Sequence, residues 1–350
     1  MRRPTYFFLL ASLTLAVLTL DVFFGEGIDA YYRSRLVDMV HGTAYRPYVY
    51  RILVPGAARL GTASLPLPIK QTLTRAFDAW TWRPAGWQPA YAAEYVLVVL
   101  IMGASLIGFA TAVRALSRAL FVAGHRVGSV AALTGLACVP VFFGPFSRQI
   151  YDFTTLWMFA LGLLLMVRSR WTAYAVVFPL ACLNKETSIL LTLVFLVHFA
   201  RHRQGLSSSG FGGLLAYQLL IFVLLRASVT YAFRNNPGGQ VEMHLFDHNQ
   251  LVLLHPGLMS KRLPLLVGMT LVGVWGWRHK PLFLRHALLA LAPVLLVMGV
   301  TVGQVDEIRA YYELYPVVIL LVADSVCRAM GRPLGTSGST GPRALNEEYA

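Results

Sequence analysis

Apolar runs of about 12 to 24 residues recur along the chain, and Arg and Lys gather in the short polar breaks beside every second run. The first run, Thr5 to Phe24, follows Arg2 and Arg3. Others fall at about Ala90 to Val113, Gly128 to Gly144, Phe153 to Val167, Phe211 to Tyr231, Leu263 to Trp277, Ala287 to Gly303 and Tyr312 to Ala323. Between Arg170 and Arg201 lies an apolar segment whose two basic flanks place both of its ends on the same side. Two arms of roughly 14 residues reach only about 20 Å, short of a hydrocarbon core of about 30 Å. The tip of this hairpin, Asn184-Lys185-Glu186-Thr187, is therefore expected below the outer surface and inside protein. The pattern predicts an all-α polytopic transmembrane bundle over residues 1–330, with about ten spans (about 8 to 12) and both termini cytoplasmic. The Gly- and Ser-rich tail, 331–350, is expected to be disordered.

The polar stretches carry the chemistry. The first outer loop, 25–89, packs Glu26, Asp29 and Asp38 together with Arg33, Arg35, Arg46, Arg51 and several tyrosines. Tyr32, Leu36, Met39 and Val40 recur at helical spacing, so Asp29 is expected to N-cap a short surface helix that Pro47 ends. The apolar but Pro- and Gly-broken stretch from Ile52 to Leu67 suits an interfacial or re-entrant piece better than a span.

Composition agrees with the pattern: 57% of residues are hydrophobic and 13% charged. That excludes an ordinary soluble domain, and the formal net charge of +14 reads as topogenic rather than as a nucleic-acid footprint. The basic, apolar N-terminus lacks a small-x-small cleavage site and reads as an uncleaved first helix. Cys138, Cys182 and Cys327 show neither disulfide nor metal-ligand spacing and read as packing residues. In this topology all 16 acidic residues except Asp324, Glu347 and Glu348 fall in outer loops, at outer helix ends or at the hairpin tip. The positive-inside rule does not explain that asymmetry, so polar chemistry is being collected on the outer face.

Each candidate has a plainer reading beside the functional one. Asp29 could be a helix cap only. Lys185 and Glu186 could be structural charges, yet a charge at the midplane costs about 2.5 to 3.5 kcal/mol on insertion scales, which favours a function or a tight partner. Neighbouring residues on a helix diverge, so each needs a partner elsewhere: Arg51 or Arg309 for Glu186, and the outer cavity for Lys185. His244, Asp247 and His248 crowd together without a fourth metal ligand. Arg148 and Asp152 suit an i,i+4 pair at a helix start, and Asp306, Glu307 and Arg309 suit a solvated turn.

The stretch Glu26-Gly27-Ile28-Asp29-Ala30-Tyr31-Tyr32, directly after the first span and before a surface helix, resembles the first extracytoplasmic loop of the GT-C superfamily. These are polytopic membrane glycosyltransferases that use polyprenyl-phosphate-linked sugars. The two acids are separated by two residues here, where the superfamily has them adjacent or one apart. The segments YRPYVYRILVP, LNKETS and DEIRAYYELYP are similar to those of a distant bacterial branch of membrane proteins related to it.

The resemblance implies a catalytic Asp29 in a site on the outer face of the bacterial inner membrane. It also implies inverting transfer from a polyprenyl-phosphate-linked sugar. Asp29 would be general base and Glu26 would orient the acceptor or hold a cation, while Arg51, Lys185 and Arg309 would hold the phosphate. Glu186, Tyr32, Arg148 and His244 complete the expected substrate contacts. The expected partners are the lipid-linked sugar and membrane lipids, with no nucleic acid, no resident metal and no cofactor, a divalent cation being left open. The alternative is a transporter or flippase for a lipid-linked or anionic substrate, since a charged, broken hairpin near the midplane also serves coupled carriers. Against it stand the missing internal repeat and the polar weight of the first loop.

Overall fold

The computed structural model describes residues 3–25, 29, 31–79, 86–122, 124–142, 148–203, 206–255, 257, 259–260 and 262–336. The described chain is all-helical, with short 3-10 turns between α-helices and no sheet beyond one isolated bridge, Phe121 to Thr336. Four segments are long and apolar enough to cross a membrane: Thr5–Phe24, Pro89–Leu120, Ser208–Ala232 and Leu282–Thr301. They belong to helices α1 (Arg3–Phe24), α5 (Ala92–Leu120), α10 (Ser208–Ala232) and α13 (Leu282–Thr301). Shorter apolar helices fill the places between them: α6 (Gly124–Cys138), α7 (Asp152–Val167), α8 (Trp171–Asn184), α9 (Leu190–Phe199), α12 (Arg262–Val274) and α14 (Tyr315–Ala329). The expected disordered tail from 337 onward lies outside the described residues.

Helix α5 is the spine of the bundle, packing on α7, α6 and α1. It approaches α7 closely where Gly108 meets Trp157; a Cβ at Gly108 would lie 2.6 Å from the indole, so only glycine allows that contact. Helices α7, α8, α9 and α14 complete a core rich in fully buried Phe and Tyr. Cys182 and Cys327 are buried free thiols and Cys138 is half-buried, all in packed positions.

The first loop differs from expectation in detail. The short surface helix is only α2 (Leu36–His41), preceded by a 3-10 turn at Tyr32–Ser34, and Arg35 rather than Asp29 occupies its N-cap position. Asp29 still satisfies the helix start from outside, because its Oδ1 accepts the Leu36 N–H at 2.7 Å. The turn intervenes because Arg35 adopts extended backbone, which restarts the helix one turn later than the apolar spacing implied. The stretch after Pro47 folds into two helices, α3 (Leu53–Ser64) and α4 (Leu67–Ala79), lying against α5. Val54, Pro55 and Ala58 are the buried face of α3, while Leu60, Leu67 and Ile69 are exposed.

The hairpin follows the expectation of short arms. Helix α8 has 14 residues and ends at Asn184; a 3-10 turn, Glu186–Ile189, then leads into the ten-residue α9. Lys185 is held extended between them, so its side chain and that of Glu186 leave the tip in different directions.

Candidate functional site

Seven segments of the chain converge on one cavity of about 490 Å³, a size that suits a small-molecule headgroup. The first loop contributes Tyr31, Tyr48 and Arg51, the hairpin tip Lys185, Glu186 and Thr187, and the turn before α14 Glu307, Arg309 and Ala310. Tyr151 and Asp152 come from the start of α7, and Arg226 from α10. Gln240, Val241, Glu242 and His244 come from the loop after α10, and an apolar wall from α13.

Arg51 is fixed from three sides. Its Nη2 donates to Glu186 Oε1 at 2.7 Å and its Nε to Oε2 at 3.2 Å, a forked pair. Its guanidinium lies 4.5 Å from the Tyr151 ring centroid and 5.5 Å from that of Tyr48, and Nη1 donates to the Tyr151 hydroxyl. Burial works against the Arg51 charge, but the Glu186 carboxylate outweighs it and holds the guanidinium well above the ordinary arginine range. Glu186 thus meets the first of the two arginines expected for it.

Lys185 lines the cavity and is also anchored beneath it. Its Nζ lies 3.2 Å from Oε1 of Glu313, a fully buried carboxylate that also accepts the Thr187 hydroxyl. The sequence predicts a Lys185 that faces the cavity; the structure adds a buried counter-charge from the DEIRAYYELYP segment. Arg309 is shared between Asp152, at 3.3 Å, and Glu307. Burial again opposes its charge, and Glu307 and then Asp152 raise it above the usual range. The turn around Arg309 is therefore packed against the cavity, not a solvated loop.

The loop after α10 closes over the first loop like a zip. Pro237 O accepts the Arg46 N–H at 2.8 Å, and Asn236 Nδ2 donates to the carbonyls of Gly42 and Ala44 at 2.8 and 2.9 Å. Glu242 then receives Arg33 at 2.6 Å and the Tyr48 hydroxyl at 2.9 Å. The contact is so close at Gly238, whose φ is +91°, that a Cβ there would sit 2.6 Å from Arg46 O. Burial pushes the Tyr31 and Tyr48 hydroxyls above their usual range, so both remain neutral donors.

The other expected site residues lie elsewhere. Asp29 does not line the cavity, although Tyr31 two residues later does; its Oδ2 accepts the Tyr95 hydroxyl at 2.6 Å. Tyr32 receives the Arg33 Nε at 2.9 Å and is half-exposed outside the cavity. Arg148 donates to the carbonyls of Val22 and Phe23 at 2.8 and 2.6 Å, closing the end of α1. Asp152 is taken by Arg309 and the Gln149 N–H, so the expected helix-start pairing is not what organises either residue. Glu26 lies outside the described residues. His244 reaches the cavity, but Asp247 binds His244 and His248 turns away to Asp306 at 2.8 Å, so the three do not face a common point.

Sequence reasoning missed Tyr48, Tyr151, Glu242, Glu313 and Arg226. Arg226 did leave a signal, being a lone cation inside a long apolar run. No family model, no curated protein and no solved structure matches the chain.

Proposed function

We propose that this is a membrane-embedded glycosyltransferase that moves a sugar from a polyprenyl-phosphate donor to an acceptor on the outer face of a bacterial inner membrane. The observation that carries the reading is the gathering of Arg51, Lys185, Arg226 and Arg309 around one cavity, from four separate segments. Phosphate leaving with negative charge needs such cations held in place before reaction, and it needs no strong general acid. The aromatic rings of Tyr31, Tyr48 and Tyr151 and the polar side chains of Gln240 and His244 offer a sugar both stacking faces and hydrogen bonds.

In this reading Asp29 is the base. The cavity carboxylates Asp152, Glu186, Glu242 and Glu307 each already pair with an arginine, so serving as the base would cost one of these contacts. The hydrogen bonds to Asp29 come instead from neutral donors, Tyr95 and the Leu36 amide. Asp29 would act at the margin of the cavity beside Tyr31 on an acceptor hydroxyl, with inversion at the sugar carbon. The shorter apolar helices would complete a bundle of about ten spans, with the cavity facing outside.

One observation favours a second reading, a carrier for an anionic or lipid-linked substrate. Lys185, at the tip of a broken hairpin of the kind that coupled carriers use, pairs with the buried Glu313 from the turn before α14. Membranes containing the protein, supplied with a radiolabelled polyprenyl-phosphate sugar, separate the two. Label moved onto an acceptor supports the transferase, whereas label crossing sealed vesicles without chemical change supports the carrier.

A further inference from the structure

Helix α5 carries Arg114, Ser117 and Arg118 in its last two turns, and spacings of three and four residues put them on one side of the helix. None of them lines the cavity. Two like charges one turn apart repel, and among the described residues no acid pairs with either arginine. The Nε of each guanidinium is buried without a hydrogen-bond partner, and so is the hydroxyl of Ser117, which is 1% exposed. Buried polar atoms are nearly always paired in a folded protein, so three orphans within two turns point to a partner that the protein does not supply. Arg168 and Arg170, between α7 and α8, look different: both are exposed, as arginines that only set topology can be.

Three helices meet at this corner, since α1 packs on both α5 and α6, and α6 on α5. The Arg114 guanidinium lies 4.2 Å from the ring centroid of Phe8 on α1. On the other side α6 comes so near that a Cβ at Gly128 would sit 2.9 Å from Ser117 Oγ and 3.3 Å from Arg114 O. Gly128 belongs to the first turns of α6, so the positive end of that helix dipole lies at the same corner. Helix α5, at 29 residues, is about 43 Å long and matches a bilayer of about 40–45 Å with its headgroup layers. Arg118 then stands in one headgroup layer, and Arg114, about 9 Å from the helix end, at the inner boundary of that layer. The corner opens outward: Thr111, one turn before Arg114, is exposed, as are Phe7 and Leu10 of α1 and Val130 of α6.

We infer that this corner of α1, α5 and α6 binds an anionic phospholipid from the leaflet on that side, with Arg114 and Arg118 holding its phosphate. A phosphodiester accepts from two guanidinium groups at once and brings the negative charge that this end of α5 lacks. Its acyl chains lie along the exposed apolar positions of α1 and α6. A choline headgroup would add its own cation beside two arginines, and a soluble phosphate would gain nothing from the apolar surface, so the site selects an anionic lipid. The site is separate from the function proposed above. Arg114 lies about 28 Å along α5 from Tyr95, the residue that holds Asp29.

The test uses the full chain in detergent micelles, titrated with phosphatidylglycerol, phosphatidylcholine or glycerol phosphate and read by native mass spectrometry. A photoreactive phosphatidylglycerol is crosslinked in parallel to the wild-type protein. Phosphatidylglycerol is expected to bind roughly 20-fold more tightly than phosphatidylcholine, and to crosslink to α1, α5 or α6. Arg114→Gln and Arg118→Gln should each weaken it roughly fivefold and the double variant roughly 25-fold, whereas Arg168→Gln with Arg170→Gln leaves it unchanged. Equal affinity for the two lipids, a preference that survives in the Arg114→Gln, Arg118→Gln double variant, or an equal loss in the Arg168, Arg170 pair overturns the site, because bulk charge would then explain the binding. Displacement of phosphatidylglycerol by glycerol phosphate at comparable concentration overturns the lipid in favour of a soluble anion. Crosslinks confined to other helices overturn the location, and that readout needs no variant to fold.

Discussion

Arg51 and Glu186, 135 residues apart, meet through two parallel hydrogen bonds that lock the first loop onto the hairpin tip. Neither side chain is more than about a quarter exposed, so removing one partner leaves a poorly solvated charge. Glu186→Gln and Arg51→Met are each expected to lower stability by about 3 kcal/mol, while the double variant recovers much of the loss. Unfolding midpoints in detergent report this; additive losses in the double variant would mean that the pair is not coupled.

Asp29 offers a sharp separation of structure from chemistry. In Asp29→Asn the remaining carbonyl oxygen can still accept the Leu36 N–H, and the Tyr95 hydroxyl can turn to accept from the new amide. Folding is thus expected to hold while sugar transfer falls roughly 100-fold or more, the loss of a general base. Turnover within a few-fold of wild type would reduce Asp29 to its part in ordering the first loop.

The zip between the two loops is expected to matter for binding. Gly238→Ala places a Cβ against Arg46 O at a φ that L residues rarely adopt, and such strain costs about 1–3 kcal/mol. Relief requires the strand of chain leading to Glu242 and His244 to lift from the first loop. Donor affinity measured by calorimetry should drop in parallel with stability, and unchanged affinity would show that Glu242 and His244 do not shape the site.

Much of this was legible in the sequence, and the limits have physical causes. The short arms of the hairpin were legible in the spacing of its basic flanks, and the partner of Glu186 in the divergence of adjacent side chains. Three quoted segments, YRPYVYRILVP, LNKETS and DEIRAYYELYP, supply three of the four cavity cations, Arg51, Lys185 and Arg309. What could not be read was pairing. Arg148 had Asp152 four residues away, yet the carbonyls at the end of α1 hold it and Arg309, 157 residues distant, takes the acid. Glu313 was hidden because it lies in an amphipathic-looking turn, and only the packing of α14 buries it beneath Lys185. Asp29 likewise had the right residue type at a plausible cap position, but the backbone at Arg35 moved the helix start.

The pH response of the site follows from the groups that cannot titrate. Arg51 and Arg309 are held above the ordinary arginine range and remain cations, and Tyr31 and Tyr48, pushed up by burial, remain neutral. None of the four changes charge as pH rises to about 9. A prenyl phosphate monoester gains its second charge near pH 6, whereas the sugar-bearing diester has no such step. The ratio of monoester to diester affinity cancels protein titrations common to both. It is expected to rise through about pH 6 and stay level to about pH 9; a fall above pH 8 would mean that another group carries the phosphate.

Lys185 supplies the most demanding case, because two roles meet on one nitrogen. Its Nζ faces the cavity and also neutralises Glu313, which is fully buried. Lys185→Met therefore strands a carboxylate and is expected to cost about 3 kcal/mol. Adding Glu313→Gln removes the stranded charge and should restore most of the stability, since Gln can still accept the Thr187 hydroxyl. Donor binding should not recover with it, because the cavity still lacks the ammonium. Midpoint and affinity measured on the same four proteins resolve the roles: recovery of both in the double variant would make Lys185 purely structural, and recovery of neither would mean that Glu313 is more than its counter-charge.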